Sequence, residues 1–153
     1  MLIRMIALVM CCAATGFAAE SGSNSTRAAQ VADAVRQQDQ PALRHLLQAK
    51  ADVNAALADG STALHWAVEN DDPDAVDLLL KSGANPNAAD RYGITPLYYA
   101  AANGNGAIVR KLLEGGANAN VTDKYGDTAL MAAARSGNAE AVAALLAARS
   151  PLA

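Results

Sequence analysis

Cysteine is nearly missing. The chain has two, Cys11 and Cys12, side by side near its start. A chain that loses its first residues has no disulfide, thiolate nucleophile or cysteine metal site. Aromatic residues are scarce as well, at 4%, so no core is built around large rings. An excess of basic charge is lacking: 12 Lys and Arg stand against 15 Asp and Glu, for a net charge of −3. That argues against a nucleic-acid binder, which carries a basic patch. The two histidines, His45 and His65, sit in unrelated contexts and make no metal site of recognisable spacing. No G-x-S-x-G turn, Walker loop or dinucleotide fingerprint occurs. Neither an enzyme nor a cofactor is implied.

Alanine and leucine supply most of the apolar content, which reaches 52% of 153 residues, room for one domain. Side chains this small suit closely stacked helices.

The first twenty residues, MLIRMIALVMCCAATGFAAE, form a separate block. A short start carries Arg4, the apolar run Met5–Ala14 comes next, and Gly16-Phe17-Ala18 has the small-x-small form of a cleavage site. This is a secretory signal pattern over 1–18, with cleavage after Ala18 and a secreted or periplasmic destination. The run is short of the roughly 20 apolar residues that span a bilayer, so no stable membrane insertion is expected once the signal is gone. An uncleaved anchor, or lipidation at Cys11, are the alternatives; Met10 fits the second poorly. Residues 19–27, with Glu20–Thr26 reading ESGSNST, read as a flexible linker.

Beyond this linker the chain repeats itself every thirty-three residues. Gly60, Gly93 and Gly126 align; so do Thr62, Thr95 and Thr128, and Leu64, Leu97 and Leu130. Ala67, Ala100 and Ala133 keep the register, as do Val76, Val109 and Val142 and three Leu-Leu pairs. Such a period means stacked units, none of which buries enough surface to fold alone. Each unit reads as two short helices and a projecting turn. In the unit 93–125, Thr95 and Pro96 suit a helix start. Gly104 breaks that helix, and Ile108, Val109, Leu112 and Leu113 carry the second at spacings of three and four. Gly115-Gly116 ends it. Asp123 and Gly126 occupy the first and fourth positions of a turn. In the unit 60–92 the second helix begins in an acidic cluster around Pro73, where Asp72 reads as its cap and Asp74 as favouring its positive end. Units fall at 28–59, 60–92, 93–125 and 126–153, within one domain over 28–153. The first is degraded and more polar, with Lys50 where a glycine belongs, as an end unit facing water requires.

The stretch GITPLYYAAANGNGAIVRKLLEGGANANVTDKYG resembles the ankyrin repeat, through its Gly-x-Thr-Pro-Leu opening, alanine pair, Val-x-x-Leu-Leu helix and Gly-Ala-Asn-x-Asn loop. The likeness runs from Ala28 to about Ser150. It departs at Tyr98 and Met131, where only His65 keeps the usual histidine; at Ala63 and Ala129, opposite Pro96; and at Asp71, in place of a glycine. The resemblance implies an all-α solenoid of stacked helix-turn-helix units with projecting β-turn loops. It also implies a structural His65, bonded to neighbouring backbone, and a protein partner bound along turn tips and the concave helix face. By repeat position the tips are Asp59 and Ser61, then Arg91, Tyr92 and Ile94, then Lys124, Tyr125 and Asp127. The concave face adds Glu69, Asn70, Asn103 and Arg135.

Tyr92 and Tyr125 each come after a basic residue and should stand side by side. Tyrosine gives large contact area at small entropy cost and is enriched in hot spots; alternatively the rings only stiffen the turns. Trp66 and Tyr99 share a first-helix position and read as packing between units; His45 reads as a surface residue. The alanine-rich last unit lacks a polar outer face. A monomer is expected, with self-association through that unit, or a longer array, as the other reading.

Overall fold

A computed structural model of the chain describes residues 23–149. The expected signal sequence over 1–18, its expected cleavage point and residues 150–153 lie outside the described residues. Within that range eight helices run in pairs: α1 (Ser23–Arg36) and α2 (Gln40–Gln48), α3 (Ala63–Glu69) and α4 (Pro73–Lys81), α5 (Pro96–Ala102) and α6 (Gly106–Glu114), α7 (Ala129–Ser136) and α8 (Ala139–Arg149). Among the described residues there is no strand, only an isolated bridge between Thr122 and Thr128. The all-α solenoid holds.

Local chemistry starts and stops each helix at the same register. Asp72 accepts hydrogen bonds from the Asp74 and Ala75 amides (3.1 and 3.0 Å), Asn105 from Ile108 (3.0 Å) and Asn138 from Ala141 (2.8 Å). These side chains satisfy amides that a helix start leaves free. Thr95 caps α5 by accepting from Tyr98. Between the helices of a pair the chain takes a left-handed residue. Glycine fills that position twice, at Gly104 (φ +71°) and Gly137 (φ +74°), but Gln38 and Asp71 fill it in the earlier pairs, at +55° and +59°.

The core is one continuous cluster from Val31 to Leu145. Leu64, Ala67 and Val68 of α3, Leu97, Ala100 and Ala101 of α5, and Val76, Leu79, Val109 and Leu112 of α4 and α6 are fully or almost fully buried. Methyl-sized residues let α3, α5 and α7 lie close. Gly106 goes further: a Cβ there would stand 2.7 Å from Glu140 Cγ.

Polar bonds repeat between pairs. Asn54 donates to the Gly83 carbonyl and accepts from the Asn85 amide; Asn87 does the same with Gly116 and Asn118. Outside, Lys111 reaches Asp77 at 2.9 Å, and Arg110 pairs with Glu140.

One expectation changes. The linker read over 19–27 is helical from Ser23 onward, as the start of α1. Val31, Ala32 and Val35 anchor that helix in the core. Once a helix is nucleated, each further residue gains one bond for one residue fixed, where the first turn fixes three for one, so a nucleated helix extends through Ser, Asn and Thr despite their weak propensity. No helix of the described residues is long and apolar enough to cross a membrane.

Candidate protein-binding surface

Each tip is a tight turn held by its own aspartate. The Asp90 carboxylate accepts from the Tyr92 and Ile94 amides at 2.8 and 2.9 Å, and Asp123 accepts from Tyr125 and Asp127 at the same distances. The turns close through Asp90 N to Ile94 O and Asp123 N to Asp127 O, both 3.0 Å. Successive tips are also tied by backbone. The Arg91 amide donates to Asp59 O and the Lys124 amide to Tyr92 O, each at 3.0 Å. Gly60 and Gly93, at φ +84° and +79°, make room for this: a Cβ at Gly60 would stand 3.0 Å from Arg91 N, and one at Gly93 3.3 Å from Lys124 N. The tips are therefore a registered row.

Two tyrosines stand out on this row. Tyr92 is 46% exposed and Tyr125 81% exposed. The Arg91 guanidinium lies 5.4 Å from the Tyr92 ring centroid and the Lys124 ammonium 5.9 Å from it. Arg91, Lys124, Glu69 and Asn103 are exposed, and Asp127 forms an ion pair with Arg135.

Three of the expected contact residues do not project as their positions suggested. Ser61 is only 7% exposed, because its amide and hydroxyl both donate to Asp59 (3.0 and 2.6 Å) and fold it beneath the tip. These same bonds, the hydroxyl first, hold the Asp59 carboxyl below the usual carboxylate range, and Arg91 adds a smaller pull. Asn70 is half-buried and donates to the Val35 carbonyl of the preceding pair at 2.8 Å. Ile94 is half-buried, its carbonyl held by His65. Asn103 reaches back toward Val68 O at 3.5 Å but stays exposed.

His65 is sealed into the structure. Its Nδ1 accepts from the Thr62 amide at 3.0 Å, which leaves Nε2 to carry the proton and donate to Ile94 O at 3.1 Å. Burial pushes its pKa below the ordinary histidine value. The neutral ring joins two pairs, as the resemblance implied. Tyr99 meets it edge-on at 6.0 Å, and the Tyr99 hydroxyl donates to Asp90 at 3.3 Å. Burial, and after it the nearby Asp90 charge, raises the Tyr99 phenol to about 12. Tyr99 thus packs between units. Trp66 is half-buried, and the Arg36 guanidinium lies 5.4 Å from its ring, a contact across thirty residues that the repeat pattern alone does not signal. His45 is exposed.

Paired helices at a thirty-three-residue step, tied tip to tip, set the frame for the comparison with known proteins. A model of the family described as ankyrin repeats (3 copies) matches residues 27–123 and 64–151. The chain belongs to the ankyrin-repeat family. None of the curated proteins compared with it matches. Ankyrin repeats are generally protein–protein interaction modules and are typically non-catalytic. In this ankyrin domain the two tip tyrosines are exposed.

Proposed function

We propose that this chain is an exported, non-catalytic module that captures a protein partner along its turn tips and concave face. The observation that carries the reading is the pair Tyr92 and Tyr125. Both rings are exposed on turns that hydrogen bonds already hold rigid, so binding requires little ordering of the site. Arg91, Lys124, Glu69, Asn103, Asp127 and Arg135 complete the surface, while Ser61 and Asn70 belong to the fold. Export rests on the N-terminal pattern around Arg4, Met5–Ala14 and Ala18.

Replacing both tyrosines by alanine should leave the circular-dichroism melt nearly unchanged, because neither ring is in the core. Capture of the partner from an extracytoplasmic fraction should weaken at least fivefold, about 1 kcal/mol. Undiminished capture sinks the reading. For export, mass spectrometry of the chain recovered outside the cytoplasm should find an N-terminus at Ala19.

A second reading is self-association through the end of the stack. Met131 is 50% exposed and Leu146 51% exposed, and Ala134 faces solvent where its equivalents Val68 and Ala101 are buried. Light scattering that stays monomeric over a wide concentration range, for the native chain and for Met131→Glu alike, removes it.

A further inference from the structure

We infer that the tips read a short acidic segment of the partner, through Arg91, Tyr92, Lys124 and Tyr125. This rests on the tips being the partner-binding surface and adds the chemistry of what they bind.

The signs of charge are sorted at the tips. The tip carboxylates are engaged: Asp90 and Asp123 each accept two backbone amides, Asp59 accepts from Ser61, and Asp127 pairs with Arg135. The cations point outward. Arg91 and Lys124 are both exposed, and among the described residues neither enters an ion pair with a carboxylate. Both are gathered at one ring, 5.4 and 5.9 Å from the Tyr92 centroid. A ring attracts each cation without neutralising either. Each cation is left free to take a carboxylate of a partner. The chain as a whole carries −3, and these two exposed, unpaired cations give an acidic partner one place to dock.

The strip is also short. At the tip before it, Ala58 stands in the position of Arg91 and Lys124, and Asp59 in that of the tyrosines. A long polyanion running along the tips meets the Asp59 charge, which disfavours a nucleic acid. Packed helices lie about 8–10 Å apart, and a polyproline-II segment advances about 3.1 Å per residue with three residues per turn, so its side chains three apart share a face. Acidic side chains about three residues apart therefore face successive cations, with a neutral or basic residue where the segment passes Asp59.

The test is selection from a random linear-peptide library on the whole chain, with Arg91→Glu/Lys124→Glu as the counter-target. The native chain should enrich peptides with Asp or Glu about three residues apart. In fluorescence anisotropy the double variant should bind the best of them at least about tenfold more weakly, and added salt should weaken the native complex. Circular dichroism verifies that the variant folds, since neither side chain is in the core. Neutral or basic winners, acidic winners bound equally by the variant, or a single-stranded oligonucleotide bound as tightly each overturn the inference. Neutral winners that are lost on Tyr125→Ala leave the tips as the binding surface while removing the acidic partner. A selection with no winner sensitive to any of the four positions removes both.

Discussion

Lys50 ends the first unit in a conformation that glycine supplies in the next two. Its φ is +55°, and its repeat equivalents Gly83 and Gly116 have φ of +91° and +95°. An L-residue in the left-handed region costs about 1–2 kcal/mol, from the approach of its Cβ to the following carbonyl. Glycine removes that cost but loses more chain entropy on folding, about 0.5–1 kcal/mol. The Lys50 side chain is exposed, so nothing in the core is lost with it. Lys50→Gly should therefore stabilise the chain by about 0.5–1 kcal/mol. For a domain of this size that raises the melting temperature by roughly 1–4 °C. Urea unfolding monitored at 222 nm measures it, with the slope of the transition checked between variants because repeat arrays can lose cooperativity. Lys50→Ala is the control: it removes the same side chain and keeps the strained backbone, so it should not stabilise. If Lys50→Gly has no effect or destabilises, or if the alanine variant gains equally, the backbone explanation is wrong.

Gly60→Ala should cost about 2 kcal/mol and Gly126→Ala about 1 in urea unfolding. Both have positive φ, but only at Gly60 does a Cβ meet the next tip, 3.0 Å from Arg91 N, whereas nothing lies within 4 Å at Gly126. Stability should fall as pH drops below about 6.5, the ordinary histidine value. The unfolded chain then protonates His65 while the buried ring, with its lowered pKa, resists, so the unfolded state binds more protons and stability is present above that pH. Urea midpoints at pH 7.5 and 5 measure this slope, and His65→Gln should flatten it. Leu145→Ala should cost about 2–5 kcal/mol and its neighbour Leu146→Ala under about 1, since the first is fully buried and the second 51% exposed. Equal losses by thermal melt contradict the assigned helix face.

Much of the fold was legible because each unit repeats its own instructions. Thr95, Asp72, Gly104 and Gly116 act within a few residues of themselves, and such signals survive in a linear sequence. The helical start at Ser23 was not legible, because its cause lies further along, in the anchoring of Val31 and Val35. Gln38, Lys50 and Asp71 carry no local mark of a left-handed conformation; only their register with glycines points to it.

The contact surface was less legible, for a reason that Ser61 and Asn70 illustrate. Both occupy positions that face outward in a single unit. Whether they remain free depends on the neighbouring polar groups: Asp59 captures Ser61, and the Val35 carbonyl, thirty-five residues earlier, captures Asn70. The second bond is decided by the pitch between units, which no single unit encodes; the first is local, an aspartate two residues ahead of a serine, and was passed over. The tips behave in the opposite way. Their supports recur, with Asp90 and Asp123 holding identical turns, while the residues presented differ: Ala58-Asp59, Arg91-Tyr92, Lys124-Tyr125. Selection for stacking explains the recurring part and leaves the presented part unexplained. A ring 81% exposed at Tyr125 adds little to the core, and Arg91 and Lys124 are exposed. Residues that help the fold so little, set on turns that the fold holds so firmly, are where a partner's chemistry is to be sought.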